Sequence, residues 1–227
     1  MPAMLRVLAA AAEGWTDLLS GGLAGWREPV GVWAEAGEVR VCATNPATLE
    51  AAPGRGVIWN GPRGKTRNLL TRSEFGDVEV HVEFLLPQRS NSGVYLMGRY
   101  EIQVFDSHGV TDPKHSDCGG IYQRWADGRG FEGRPPRVNA SQPAGEWQTF
   151  DIVFRAPRFD AAGRKIAHAC FVRVVHNGVV IHEEAEVTGP TRAAAFDDER
   201  PTGPLMLQGD HGPVAYRNLR IRPLSPP

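Results

Sequence analysis

The chain of 227 residues carries 25 basic and 26 acidic side chains, a formal charge of −1, and no block of like charge of the kind that engages nucleic acid or an anionic membrane surface. It is long enough to bury a core without disulfides or metals. Its three cysteines, Cys42, Cys118 and Cys170, are too widely spaced for a CxxC zinc or redox site and read as small buried hydrophobes.

The N-terminal MPAMLRVLAAAAEGW has a short apolar run ending in alanines, like the end of a signal peptide, but Arg6 interrupts it and no basic n-region precedes it. Residues 1–12 are therefore read as a tail and 13–227 as a single domain. The location is periplasmic or secreted if the tail is a signal remnant, and cytoplasmic otherwise. No run approaches the roughly 18 apolar residues of a membrane-spanning helix. Helical periodicity is nearly missing, whereas period-two runs rich in β-branched residues recur between Gly, Pro, Asn and Asp clusters. In chain order they predict strands over Val30–Trp33, Glu38–Cys42, Gly56–Trp59, Asn68–Thr71, Asp77–Leu86, Ser92–Met97 and Tyr100–Phe105. Further strands follow over Trp147–Arg155, Cys170–His176, Val179–Glu186, Gly203–Gln208 and Val214–Ile221. This is the pattern of an all-β jelly-roll sandwich of two antiparallel sheets. In RVVHNGVVIHEE, Asn177-Gly178 predicts a type I′ hairpin.

In DVEVHVEFLL, Val78, Val80, Val82 and Phe84 face one way and Glu79, His81 and Glu83 the other. RYEIQVFDSHG reads as a strand, yet it offers Glu101, Gln103 and Asp106 among its apolar residues. Glu101 and Gln103 share a face, about 7 Å apart. Asp106 joins them only if a β-bulge reverses the alternation after Val104. The resulting E-x-Q-x-x-D spacing is similar to the E-x-D-x-x-E signature of jelly-roll β-glucanases, with two of its acids changed. Between Ser107 and Glu146 the chain has only one strand-like piece, Gly120–Tyr122, and loops of that length are usually functional or disordered. This one interleaves Tyr122, Trp125 and Phe131 with basic groups, a composition suited to a sugar, which presents an apolar C–H face and a rim of hydroxyls.

A wider resemblance is carried by EGWTDLLSGGLAGWR, NLLTRSEFGDVEVHVEF, RSNSGVYLMGRYEIQVFDS, GGIYQ, AGEWQTFDIVFRA, HNGVVI and GPLMLQGDHGPVAYRNLRIRPL. Their content and order resemble the 3-keto-disaccharide hydrolase family, formerly a domain of unknown function. The resemblance implies a concanavalin A-like jelly roll that acts on oxidised glycosides. A ketone at C3 acidifies the C2 hydrogen, so a base removes it, an enolate forms and the aglycone leaves C1; water addition then completes a net hydrolysis. Such chemistry needs a base, an enolate stabiliser and a proton donor for the leaving oxygen.

On this basis Glu101 is the candidate base or metal ligand, and His211, whose imidazole can give or take a proton, a candidate acid/base. Asp106 is either catalytic or the shaper of its turn. Gln103, Gln208 and Asn91 are candidate partners of sugar oxygens, Tyr122 and Trp125 the sugar platform, and Arg217 a cleft residue if YRNL contains a bulge. A divalent metal ion would stabilise an enolate, with Glu101, Glu83 and His81 as its candidate ligands. No Rossmann or P-loop glycine pattern is present, so no nucleotide cofactor is expected and a separate sugar 3-dehydrogenase must supply the ketone. Two other readings compete: a non-catalytic carbohydrate-binding module, and a conventional glucanase-like glycoside hydrolase, which if retaining needs Glu101 and Asp106 about 5 to 6 Å apart.

Overall fold

The computed structural model describes residues 14–224. Its strands are β1 (Thr16–Asp17), β2 (Ala34–Cys42), β3 (Asn45–Trp59), β4 (Leu69–Leu70), β5 (Val78–Leu85), β6 (Asn91–Leu96), β7 (Tyr100–Phe105), β8 (Arg124–Ala126) and β9 (Arg129–Phe131). Then follow β10 (Gln148–Arg155), β11 (Arg158–Phe159), β12 (Lys165–Ala167), β13 (Ala169–His176), β14 (Val179–Val187), β15 (Met206–Leu207) and β16 (Ala215–Pro223). The larger sheet runs β14-β13-β10-β5-β16-β3-β2, with β1 added to β16, and the smaller runs β4-β15-β6-β7. Ile121 bridges Ile102 on β7 and then Arg134, which carries the smaller sheet one segment further. The architecture is an all-β, concanavalin A-like jelly roll.

Alternation decides which face of each sheet is inside. From the larger sheet Val80, Val82, Phe84, Phe150, Ile152 and Phe154 point inward, and from the smaller sheet Val94, Leu96, Tyr100, Ile102 and Val104 meet them, all fully or almost fully buried. Phe84 and Phe150 lie 4.8 Å apart and Tyr100 and Phe154 5.4 Å apart, in tilted pairs. A polar link crosses this core. The Tyr216 hydroxyl bonds Ser92 Oγ at 2.7 Å, and Ser92 Oγ donates to the Gln208 carbonyl at 2.7 Å, tying the end of β15 to the opposite sheet.

Several expected strands differ. Val30–Trp33 is not a strand: Gly31 takes φ +69° and Val32 N donates to Thr66 Oγ1 at 2.9 Å, so β2 starts at Ala34. β3 extends back to Asn45 through Pro46 and Pro53, which is tolerated because register shifts interrupt its pairing with β2. Met206–Leu207 is all that pairs of Gly203–Gln208, with Gly203 bridging Phe75 alone. Asn177 and Gly178 take φ +50° and +81°, as a type I′ turn requires. Cys118 and Cys170 are buried, whereas Cys42 is only partly so; all three are free. The N-terminal apolar run falls outside the described residues.

Two histidines are enclosed beneath the Gly119–Tyr122 segment. His176 Nε2 donates to Gln148 Oε1 at 3.0 Å, and His182 Nε2 donates to the Gly119 carbonyl at 2.7 Å. Burial holds both near pKa 4, against about 6.5 in an unfolded chain. The unfolded state therefore takes up protons first, and folding stability falls as pH drops from about 6.5 to about 4. In His182→Gln, whose amide can still donate to Gly119, denaturation midpoints measured across this window should decline less steeply. An unchanged slope would show that His182 does not carry the effect.

Candidate active site

The site lies on the outer face of the smaller sheet and follows from register. β6 and β7 pair without a shift, with Tyr95 opposite Glu101 and Gly93 opposite Gln103. Met206 lies opposite Tyr95 on the other side, and Gln208 N donates to the Gly93 carbonyl at 2.9 Å. Beyond β7, Tyr122 N donates to the Glu101 carbonyl at 3.2 Å and Gln103 N to the Gly120 carbonyl at 2.9 Å. Two rows of side chains result, Met206–Tyr95–Glu101–Tyr122 and Gln208–Gly93–Gln103–Gly120. Gly93 makes room for the Glu101 carboxylate between the rows, and beside that carboxylate a cavity of about 380 Å³ is found.

Six sequence candidates line this cavity together: Asn91, Glu101, Gln103, Tyr122, Gln208 and His211. Tyr95 and Arg192 line it as well, and sequence reasoning missed both. Tyr95 was hidden in an apolar-looking strand, although its alternation with Gly93 was a usable signal. Arg192 sits in an irregular loop with no periodicity to read.

Glu101 is only 2% exposed, and burial pushes its carboxyl up to about 8; the nearby Asp210 charge adds to this and the Tyr95 hydroxyl opposes it. A Cβ on Gly93 would overlap the Glu101 carboxylate, so the glycine makes room for that group. The Tyr95 hydroxyl donates to the Arg192 carbonyl at 3.3 Å, and burial together with Glu101 keeps it protonated well above the ordinary tyrosine range. Gln103 Nε2 donates to the Ser116 carbonyl at 3.2 Å. Gln208 is 6% exposed, and its Oε1 has no hydrogen-bond partner among the described residues. A buried acceptor left unmatched is expensive, and here it lines a cavity able to admit a donor. His211 Nδ1 bonds Asp210 Oδ1 at 2.6 Å, in a loop held by Asn60, whose Nδ2 donates to the carbonyls of Gly209 and Gly212 at 3.1 and 2.8 Å.

The remaining candidates fall elsewhere. No bulge follows Val104; β7 ends at Phe105, and Asp106 Oδ2 accepts the Arg89 N–H at 2.9 Å, stabilising a turn in which Arg89 has φ +58°. Asp106 is thus a turn residue, and the retaining pair of a glucanase does not assemble. The bulge expected in YRNL does occur, with Asn218 at φ +47° and a register shift between Arg217 and Arg220. Its effect is to turn both Tyr216 and Leu219 inward, while Arg217 stays on the opposite, outer face, 2.6 Å from Glu83 and stacked over Trp147. His81 lies on that same far face, 2.6 Å from Asp151. Glu83 and His81 therefore cannot share an ion with Glu101, and no group of three His, Cys, Asp or Glu side chains able to hold a metal is found among the described residues. Trp125 lines an adjoining hollow instead of the main cavity.

Comparison with known proteins identifies the family and the fold. The profile of a family described as 3-keto-alpha-glucoside-1,2-lyase-like domain matches residues 14–222. Among solved structures, a "putative glycosyl hydrolase" from Parabacteroides distasonis is 27% identical, with a TM-score of 0.68 over 93% of this chain and 84% of that one. A second from the same organism, described in the same words, is 20% identical, with a TM-score of 0.61 over 92% and 99% of the two chains, a likeness of fold. No curated protein matches the sequence.

The raised Glu101 pKa has a thermodynamic signature. A carboxyl near 8 when folded and about 4.5 when unfolded favours folding only while both states hold the proton; that stability is lost as pH rises from about 4.5 through about 8. Glu101→Gln keeps the shape without the ionisation. Its melting temperature should exceed that of the parent by an amount that grows across this window, reaching at least about 2 °C at pH 8. Equal melting temperatures at every pH would refute a strained, proton-holding Glu101.

Proposed function

The chain belongs to the 3-keto-alpha-glucoside-1,2-lyase-like domain family, and from that premise we propose that it cleaves 3-keto-glycosides by elimination across C1 and C2. The observation that carries the reading is Glu101, a single carboxyl buried on the cavity floor with its proton affinity raised. Hydrogens beside a ketone are weakly acidic, and a carboxylate of raised pKa takes them more readily than an ordinary one.

In this mechanism the ionised Glu101 takes the C2 proton. The C–H electron pair becomes the C2–C3 double bond, and the negative charge moves to the C3 oxygen. Arg192 and the Tyr122 hydroxyl are donors in reach of that oxygen, with Arg192 free of any carboxylate partner among the described residues. As the C3 carbonyl re-forms, the pair moves to C1–C2 and the C1–oxygen bond breaks. His211, oriented through Nδ1 by Asp210, gives the departing oxygen its proton. Water adding to C1 of the unsaturated ketone then yields the net hydrolysis product. Gln208 Oε1 accepts a sugar hydroxyl, which satisfies its unmatched lone pairs. The ketone itself would be made by a separate sugar 3-dehydrogenase, because this chain carries no nucleotide-binding motif.

Purified protein should cleave a 3-keto-glucoside and leave the unoxidised glucoside intact. Its kcat/KM should rise about tenfold per pH unit and level off near pH 8, as the free enzyme's base ionises. A rate that instead falls as pH rises through 8 would make Glu101 the acid, and cleavage of the unoxidised glucoside would overturn the reading. Glu101→Gln should lower kcat by about 10³-fold. Gly93→Ala should keep the fold but displace the Glu101 carboxylate, lowering kcat by at least about tenfold with little change in KM; wild-type kcat in that variant would show that the glycine has no positioning role.

A further inference from the structure

Five arginines lie over aromatic rings among the described residues. Four of them, Arg99, Arg124, Arg217 and Arg222, are also paired with a carboxylate, at 2.5 to 3.3 Å. Arg192 is the exception. Its guanidinium sits 3.8 Å from the Trp125 ring centroid, closer than in the other four stacks, and it has no carboxylate partner among the described residues. Of the five it is also the only one that lines the Glu101 cavity. Trp125 stands outside that cavity and is 44% exposed, so the indole meets the site only through the cation it carries.

A carboxylate in place of the indole would hold the guanidinium but cancel its charge. An aromatic face attracts a cation through its ring quadrupole, and stacking uses the flat of the guanidinium while its N–H donors radiate from the edge. Arg192 is therefore held without losing its charge. Both sides of the contact are built in advance. Asp127 and Gly128 take φ +51° and +76°, as a type I′ turn requires, and the hairpin they close sets Trp125 on β8 opposite Gly130 on β9. Arg124 ties that hairpin to Thr188 by donating to its Oγ1 at 2.5 Å. On the other side, Arg192 N donates to the Gln123 carbonyl at 2.8 Å and Thr191 N to the Arg99 carbonyl at 2.9 Å. Ala193 is held at φ +62°, a conformation uncommon for any residue with a side chain.

Resting on the proposed elimination, we propose that Trp125 is a positioning residue: its indole face holds the Arg192 guanidinium at the cavity as a cation without a counter-ion, placed for the negative charge that develops on the ketone oxygen. Trp125 then acts through Arg192 and touches no substrate, in place of the sugar platform that its sequence context suggests. An ion pair at the same position would give Arg192 an anion to serve before the substrate arrives. The indole offers none, so the charge is spent only as the enolate forms.

A double-mutant cycle on methyl 3-keto-glucoside tests this. Trp125→Leu should lower kcat about three- to fivefold, the size of one cation–π contact at a half-exposed site, and leave KM within about twofold. Trp125→Phe, which keeps a ring face, should retain at least about half of the wild-type kcat. Arg192→Ala should cost about 10²-fold, as the loss of one oxyanion donor does, and adding Trp125→Leu to it should cost nothing more. An unchanged kcat in Trp125→Leu, a rise in KM alone, or a loss of equal size with and without Arg192 would overturn the proposal, the last two by showing that the indole meets the substrate itself. If the wild-type protein cleaves no 3-keto-glucoside, the proposed reaction fails by itself. Whether Trp125 holds Arg192 is then decided by the side-chain Nε–H signal of Arg192 in NMR spectra, assigned by its loss in Arg192→Ala: a ring-shifted signal that moves downfield in Trp125→Leu supports the stack, and an unmoved one refutes it.

Discussion

Water would hold the Glu101 carboxyl ionised at neutral pH; at 2% exposure that hydration is removed, and the proton is held up to about pH 8. Desolvation of an isolated carboxyl opposes folding, so the surrounding structure has to impose it. The jelly roll does so from below. The inner residues of β6 and β7, Val94, Ile102 and Val104, lock those strands onto a core shared with Phe84 and Phe150, and alternation then fixes Tyr95, Glu101 and Gln103 on the other face. A one-residue slip of β7 would bury Ile102 in the cavity and drive the carboxyl into the core, which is why the register of this pair bears on the chemistry.

That carboxyl and the His115 backbone find room because side chains are missing where rows of them would normally meet. Gly93 and Gly120 flank Gln103 in the row that starts at Gln208, and each is closely approached: Gly93 by Glu101, Gly120 by the His115 backbone. Loops then close the sides, and they are held as firmly as the strands. Asn60 spends both side-chain ends on the Gly209–Val214 loop, with Val214 N donating to its Oδ1 at 2.8 Å. Thr191 ties the Arg192 loop to β7. Preorganisation of this kind matters because a donor or base displaced by an ångström loses much of its effect in the transition state.

The fold was legible from period-two alternation and turn chemistry, because both act locally: DVEVHVEFLL and the Asn177-Gly178 turn need no distant partner to be read. Glu101, Gln103, Gln208 and His211 were legible for a related reason, being polar groups on strands, or just past a strand end, whose other faces were apolar. What misled was the assumption that polar residues of neighbouring strands share one face of the molecule. Glu83 and His81 alternate just as Glu101 does, but they belong to the opposite sheet, and a sandwich has two outer faces. The YRNL bulge was foreseen with the wrong beneficiary, since it turns Tyr216 and Leu219 inward and leaves Arg217 outside with Glu83. Asp106 was misplaced because a bulge was invoked to bring it round, whereas the chain ends its strand there and uses the carboxylate on the Arg89 turn. Arg192 and Asn60 act through loop contacts distant in sequence, for which no local pattern exists.

The site contains one buried carboxyl where a retaining glycosidase needs two, and the economy of the proposed reaction lies in its substrate. Hydrolysis of an ordinary glycoside passes through an oxocarbenium-like state at C1 and calls for a carboxylate to receive it and an acid to expel the aglycone. Oxidation at C3 moves the developing charge from carbon to the ketone oxygen and reverses its sign. A nucleophile at C1 then has nothing to stabilise, while a base near C2 and neutral or cationic donors near the ketone become decisive. The group types around Glu101 follow that reversal. Tyr95 is kept protonated, Gln103 and Gln208 are amides, Tyr122 is a phenol, and Arg192 is a cation without a counter-ion among the described residues. The negative side chain nearest to Glu101 in effect is Asp210, half-exposed and bonded to His211. There its charge helps Glu101 to hold a proton that it has taken, and it keeps His211 turned as a donor.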